Sequence, residues 1–231
     1  MIIQIYGIRT VEDARMVIEY GAHNIGVSYG HILRTPGQLS CAKAKEIFEG
    51  VQPHATKIGL TVAEDIEEIS ENLRTVIPDV LHLSGDIEGI SPEQIQVLKK
   101  RFPGLKIMQA IPVLDGVPLE DQKVLSYIKE YEPVSDFFLI DTKAQNAADI
   151  GATGLTHDRF IDKAIIDSTK VPCIIAGGLD ASNVAEAIRI TRPYGVESFL
   201  TNFDEPREPG QSIKDPDKVK AFIDAVNHAK Y

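Results

Sequence analysis

Apolar positions along the chain switch repeatedly between a period of two and a period near 3.6, beginning at its first residues. IIQIYG is a short β-branched run, and TVEDARMVIEYGA follows with Val11, Ala14, Val17 and Ile18 on one helical face. Thr10 stands where an N-cap belongs, and Gly21 where such a helix stops. HNIGVSY reads as a second strand and, beyond the loop GHILRTPGQ, LSCAKAKEIFEG as a second helix. ATKIGLTV is a third strand, and AEDIEEISENLRTVI carries Ile66, Ile69, Leu73 and Val76 at helical spacing. After DVLHLSG, Ser91 and Pro92 open a helix that buries Ile95, Leu98 and Phe102. LKIMQAIPV is strand five, with a helix predicted over 119–132. SDFFLIDT is strand six, followed by a glycine-bearing loop and the helix HDRFIDKAIIDS. VPCIIAGG is strand seven, with Asp180 as the expected cap of the helix ASNVAEAIRIT. GVESFLT is strand eight, and Asp215-Pro216 begins a last helix with Val219, Phe222, Ile223 and Val226 on its inner face.

Eight strand–helix repeats in strict order predict a single (β/α)8 barrel spanning residues 1–231. FFLID and CIIAGG are apolar throughout, as parallel strands buried on both faces must be. An open doubly wound sheet is the alternative, and the absence of a GxGxxG turn after the first strand counts against it.

Composition narrows the class of ligand. A net charge of −10 argues against nucleic acid, whose backbone demands a Lys/Arg-rich surface. It leaves room for a phosphorylated metabolite held by a few backbone N–H groups. Cys41 and Cys173 form no CxxC pattern, and the six histidines show no HxxxH or HxH spacing. Neither a disulfide framework, nor a metal, nor a cofactor is expected. No leader pattern or membrane-length apolar run is seen, so the expected setting is the cytosol with no membrane partner. A homodimer through the barrel helices is left open.

In this architecture chemistry gathers on the loops that follow the strands. Candidates there are Tyr6 and Arg9, Ser28 and Arg34, His82 and Ser84, Asp141, Glu197, the Gly151–Gly154 and Gly177-Gly178 loops, and Thr201-Asn202. Asp141 closes an apolar run, where desolvation raises a carboxyl's pKa and suits it to general-acid work; a helix cap or ion pair is the other reading. The two glycine loops expose N–H groups, and the turn Asp180-Ala181-Ser182 puts a helix start beside them, a setting for an anion; alternatively the glycines only permit tight turns. Arg34, near Pro36 and Gly37, has the fork to clamp a carboxylate, or is simply solvated. His82 lies inside a buried strand, as a hydrogen-bonded core residue or a base, while His31 and His157 read as surface residues.

The ordered motifs IQIYGIRTVEDA, IGVSYGHILRTPG, LHLSGD, FFLIDT, GATGLTHD, AGGLDASNV and EPGQSIKD resemble, nearly end to end, those of phosphoribosylanthranilate isomerase. That is a tryptophan-pathway barrel performing an Amadori rearrangement. The resemblance implies Asp141 as the general acid that protonates the sugar-ring oxygen, and Arg34 as receiver of the anthranilate carboxylate. Gly151, Thr153, Gly154, Gly177 and Gly178 match its phosphate loops; the family's SSGVE pattern after strand eight is missing, and Thr201 and Asn202 of the nearby LTNFDE are further substrate-binding candidates. The family's basic cysteine is replaced by Tyr6, its preceding lysine by Gln4, and the aromatic residues of its FDW pattern by His157 and Arg159. Two functions follow: an isomerase of a phosphorylated sugar derivative, with Tyr6 as a donor and His82 or Glu197 as base, or a non-catalytic binder of a phospho-metabolite.

Overall fold

The computed structural model of the chain describes residues 1–35, 37–51, 53–143, 156–200 and 214–229. Strands β1 (Ile2–Ile5), β2 (Asn24–Ser28), β3 (Thr56–Thr61), β4 (Val80–Leu83), β5 (Lys106–Leu114), β6 (Phe137–Lys143), β7 (Cys173–Ile175) and β8 (Gly195–Ser198) pair in sequence order. All are parallel, and β8 returns to β1 to close the barrel. Helices α1 (Val11–Tyr20), α2 (Cys41–Glu49), α3 (Ile66–Thr75), α4 (Pro92–Arg101), α5 (Val124–Tyr131), α6 (Arg159–Ser168), α7 (Val184–Thr191) and α8 (Pro216–His228) alternate with them. The alternation read from the sequence is therefore the observed (β/α)8 barrel.

Register fixes which side chains reach the interior. Gln4 pairs with Asn24 and Glu197, Gly26 with Ile58, Leu60 with His82, His82 with Met108, and Leu139 with Ile174. These positions share one parity, so all face inward. Ile58, Val80, Met108, Leu139, Ile174 and Ala176 form the inner core with Tyr6. The opposite parity (Ile3, Ile25, Ile107, Phe138, Ile140 and Val196) packs outward onto helix residues such as Val17, Ile47, Leu98, Ile165 and Phe222.

Helix starts are mostly where the residues placed them. Thr10 accepts from the Asp13 N–H at 3.0 Å, Gly21 ends α1 at φ 117°, and Ser91 with Gln94 closes a reciprocal capping box. Two expectations need correction. The helix predicted over 119–132 is a 3-10 turn at Leu119–Asp121 followed by α5, because the Gln122 side chain is spent on the backbone of Leu114 (2.8 Å) and Val117 (2.6 Å). Asp180 does not cap α7: its carboxylate accepts from the Ser182 N–H at 2.8 Å, organising a turn, and the helix starts only at Val184. The Ser182 amide is thus satisfied within the protein, and the start of α7 lies two residues further along, with Asn183 as its N-cap.

Candidate active site

Extending the register Ile140↔Ile175 and Ile175↔Val196 by one residue aligns Asp141, Ala176 and Glu197 across β6, β7 and β8. The backbones of β6 and β8 lie about 10 Å apart at two strand spacings. Ala176 stands between them on β7, and the charge of Asp141 is felt at Glu197. Burial pushes Asp141 up to about 6, against the Thr142 N–H, which donates to its Oδ1 at 2.7 Å, and the nearby His157 and Arg159. Burial, and next the charge of Asp141, push Glu197 well above the usual carboxylate range, with Lys214 opposing. The two carboxyls therefore titrate as a coupled pair, each burial-raised and the charge of one disfavouring ionisation of the other.

Tyr6 and His82 are brought together by the fold. The phenol oxygen lies 2.7 Å from His82 Nδ1, and the rings stack 5.4 Å apart at 14°. The space for this ring comes from Gly26, where a Cβ would sit 1.4 Å from Tyr6 Cδ1. Burial raises the phenol well above its ordinary pKa and lowers the imidazole to about 3. Both are therefore neutral at pH 7: the phenol donates, Nδ1 accepts, and the hydrogen is on Nε2, which is buried without a partner among the described residues. Neither group has a free base to offer in this state.

Lys214 escaped the sequence reading. It arrives from beyond β8, and its buried Nζ donates to the carbonyls of Tyr6 and Phe199 while lying 4.4 Å from the Phe199 ring centroid. Burial draws it down to about 7, with the charge of Glu197 opposing. Its only signal was its place in the closing run EPGQSIKD, ahead of the cap Asp215.

Arg34 is already forked onto a carboxylate, with Nε and Nη2 donating to Glu68 of α3. Gly177 and Gly178 follow β7 at φ 80° and 61°. Gly151, Thr153, Gly154, Thr201 and Asn202 lie outside the described residues. His157 corrects the sequence reading, because it is 7% exposed rather than a surface residue. Its ring joins the Thr142 hydroxyl (Nδ1, 2.7 Å) to Asp162 (Nε2). A cavity of about 640 Å³ opens at the other end of the barrel, beside Val80, Lys106, Phe137 and Tyr194. The titratable groups gather at the C-terminal ends of the strands, and on that chemistry we place the site there.

Comparison with known proteins finds similarity along nearly the whole chain. The family model for N-(5'phosphoribosyl)anthranilate (PRA) isomerase matches residues 3–225. The chain is 33% identical over 223 residues to N-(5'-phosphoribosyl)anthranilate isomerase 2 of Methanosarcina mazei, covering 96% of this chain and 92% of the relative. It is 29% identical over 228 residues to the Haloferax volcanii isomerase, covering 99% and 94%. The Pyrococcus furiosus isomerase structure superposes with a TM-score of 0.76 at 26% identity over 98% of both chains. Eight strand–helix repeats and this end-to-end similarity place the chain in the N-(5'-phosphoribosyl)anthranilate isomerase family of enzymes.

Proposed function

We propose that the protein isomerises N-(5'-phosphoribosyl)anthranilate, an aldose-to-ketose Amadori rearrangement, using the Asp141–Glu197 pair in place of the family's cysteine base. Asp141 gives its proton to the furanose ring oxygen; the ring C–O bond breaks and the anilino nitrogen lone pair forms the iminium. A carboxylate then removes the C2 proton, and those electrons neutralise the iminium to give the enolamine, which tautomerises to the aminoketone. Tyr6 and His82 are held neutral against each other, so Glu197 is the base in this reading, the coupled pair passing its proton from Glu197 to Asp141 when substrate binds. Tyr6, its hydroxyl hydrogen engaged by His82, serves as a wall beside the reacting sugar. Arg34 receives the carboxylate of the aromatic ring by exchanging Glu68 for substrate. The N–H groups of Gly177 and Gly178 meet the phosphate, with Gly151, Thr153, Gly154, Thr201 and Asn202 expected to complete that end.

The observation that carries this reading is the carboxyl pair, two burial-raised and coupled groups on inner positions either side of Ala176 at the mouth of the barrel. The test is growth of an isomerase-deficient tryptophan auxotroph. The wild-type chain is expected to restore growth without tryptophan, and Asp141→Asn to fail at equal protein level. Failure of the wild type, expressed and folded, overturns the reading.

A further inference from the structure

Where the family carries the two aromatic residues of its FDW pattern, this chain carries a buried polar network. The Asp162 side chain has no exposed surface, that of His157 has none, and that of Arg159 is 12% exposed. Asp162 is held from both sides, by His157 Nε2 and by Arg159 Nη1 at 3.0 Å. The rest of the guanidinium is spent on backbone: Nη1 donates to the Ala176 carbonyl at 2.7 Å, and Nη2 to that of Gly177. Burying these charges is costly unless each is fully partnered. Their placement behind the β7 loop shows what the partnering achieves.

A trans peptide sets its C=O and N–H on opposite sides. The carbonyl of Ala176 shares a peptide unit with the N–H of Gly177, and that of Gly177 with the N–H of Gly178. A guanidinium gripping both carbonyls therefore turns both N–H groups away from itself. Neither N–H donates to any acceptor among the described residues. Both glycines hold positive φ, which gives a concave run of amides suited to an anion. Thr142 backs the same turn, since a Cβ on Gly177 would lie 2.2 Å from its hydroxyl oxygen, and that hydroxyl meets His157.

We propose that Arg159, braced by Asp162 and His157, is a positioning residue that presets the Gly177 and Gly178 amides as a cradle for a phosphate monoester. It touches no substrate and acts through the two carbonyls. The inference rests on the isomerase reading for the identity of the ligand, and its test separates the two. Binding of inorganic phosphate and of ribose 5-phosphate is titrated by calorimetry, independently of turnover, and KM and kcat are measured alongside.

In Arg159→Met the dissociation constant for both ligands, and KM, are expected to rise by about tenfold or more, while kcat at the plateau of its pH profile changes by less than about threefold and the Asp141 limb of that profile moves to higher pH. Arg159→Lys, able to reach one carbonyl at a time, is expected to fall between. Because Arg159→Met leaves a lone buried carboxylate, the double variant Arg159→Met/Asp162→Leu removes both charges and keeps a foldable interior. It too is expected to lose phosphate affinity. Folded variants that bind phosphate as tightly as the wild type overturn the cradle, even if their melting temperatures fall. Wild type that binds phosphate, with the variants losing it, but turns over no phosphoribosylanthranilate leaves the cradle standing and removes the isomerase reading. Wild type that binds no phosphate removes both.

Discussion

Filling the notch that holds Tyr6 gives a prediction worked directly from geometry. In Gly26→Ala the new methyl would lie 1.4 Å from Cδ1 and 1.8 Å from Cε1 of the Tyr6 ring, so the ring must move. Overpacking of this kind costs about 1–3 kcal/mol. Displacing the phenol from His82, 2.7 Å away, also leaves a buried acceptor unpaired, a further ~1–3 kcal/mol. The single variant should thus lose about 2–6 kcal/mol. For a chain of this size, about 3 kcal/mol corresponds to a fall of ~6–12 °C in melting temperature. Tyr6→Cys alone should cost about 3–5 kcal/mol, as truncation of a buried aromatic does. In the Tyr6→Cys background the Gly26→Ala methyl enters the vacated space, and its cost should drop to about zero or reverse. Urea unfolding of the four proteins completes the cycle, with an expected coupling of at least ~2 kcal/mol. Additivity within ~0.5 kcal/mol would refute the claim that Gly26 exists to admit Tyr6.

Other expectations follow from the same structure. Asp141 is raised from 3.8 to about 6 on folding, so the folded chain binds that proton more tightly, and stability from this group is present below pH 3.8 and is lost as pH rises through about 6. Asp141→Asn should therefore melt higher than wild type at pH 8 and show no such gain at pH 3.5; equal differences at both would contradict the assigned burial. Gly177→Ala places a Cβ 2.2 Å from Thr142 Oγ1 at φ 80°, and should cost several-fold in KM as well as stability, which a thermal melt and steady-state kinetics will show. The Arg34–Glu68 pair is partly exposed and worth no more than about 1 kcal/mol, so a substrate carboxylate can displace Glu68. Arg34→Met is accordingly expected to raise KM about tenfold with little change in kcat, and an unchanged KM would remove Arg34 from the site.

Much of the fold was legible because its signals are local. Each apolar period lies within one element, and caps such as Thr10, Ser91 and Asp215 act on N–H groups two or three residues away. The failures came where a side chain left its own element. Gln122 reads as a helix residue until its amide is seen holding the backbone at Leu114 and Val117. His157 looks exposed at a helix start because the carboxylate that buries it, Asp162, is invisible as a partner without the fold. The site was half legible. Asp141 was marked by its position at the end of an apolar strand, whereas Lys214 reaches the carbonyl of Tyr6, more than two hundred residues distant in sequence. The pairing of Asp141 with Glu197 depends on strand register across β7, which no run of residues reveals by itself.

The most direct test of the account is steady-state turnover of N-(5'-phosphoribosyl)anthranilate by the purified protein, with Asp141→Asn and Glu197→Gln assayed beside it from pH 5 to 9. The account predicts turnover by the wild type, a loss in kcat/KM of about a thousandfold or more in each variant, and a wild-type profile shaped by two ionisations, one near the value of about 6 held by Asp141. Turnover that survives in both variants would contradict the carboxyl pair as the acid and base of this barrel.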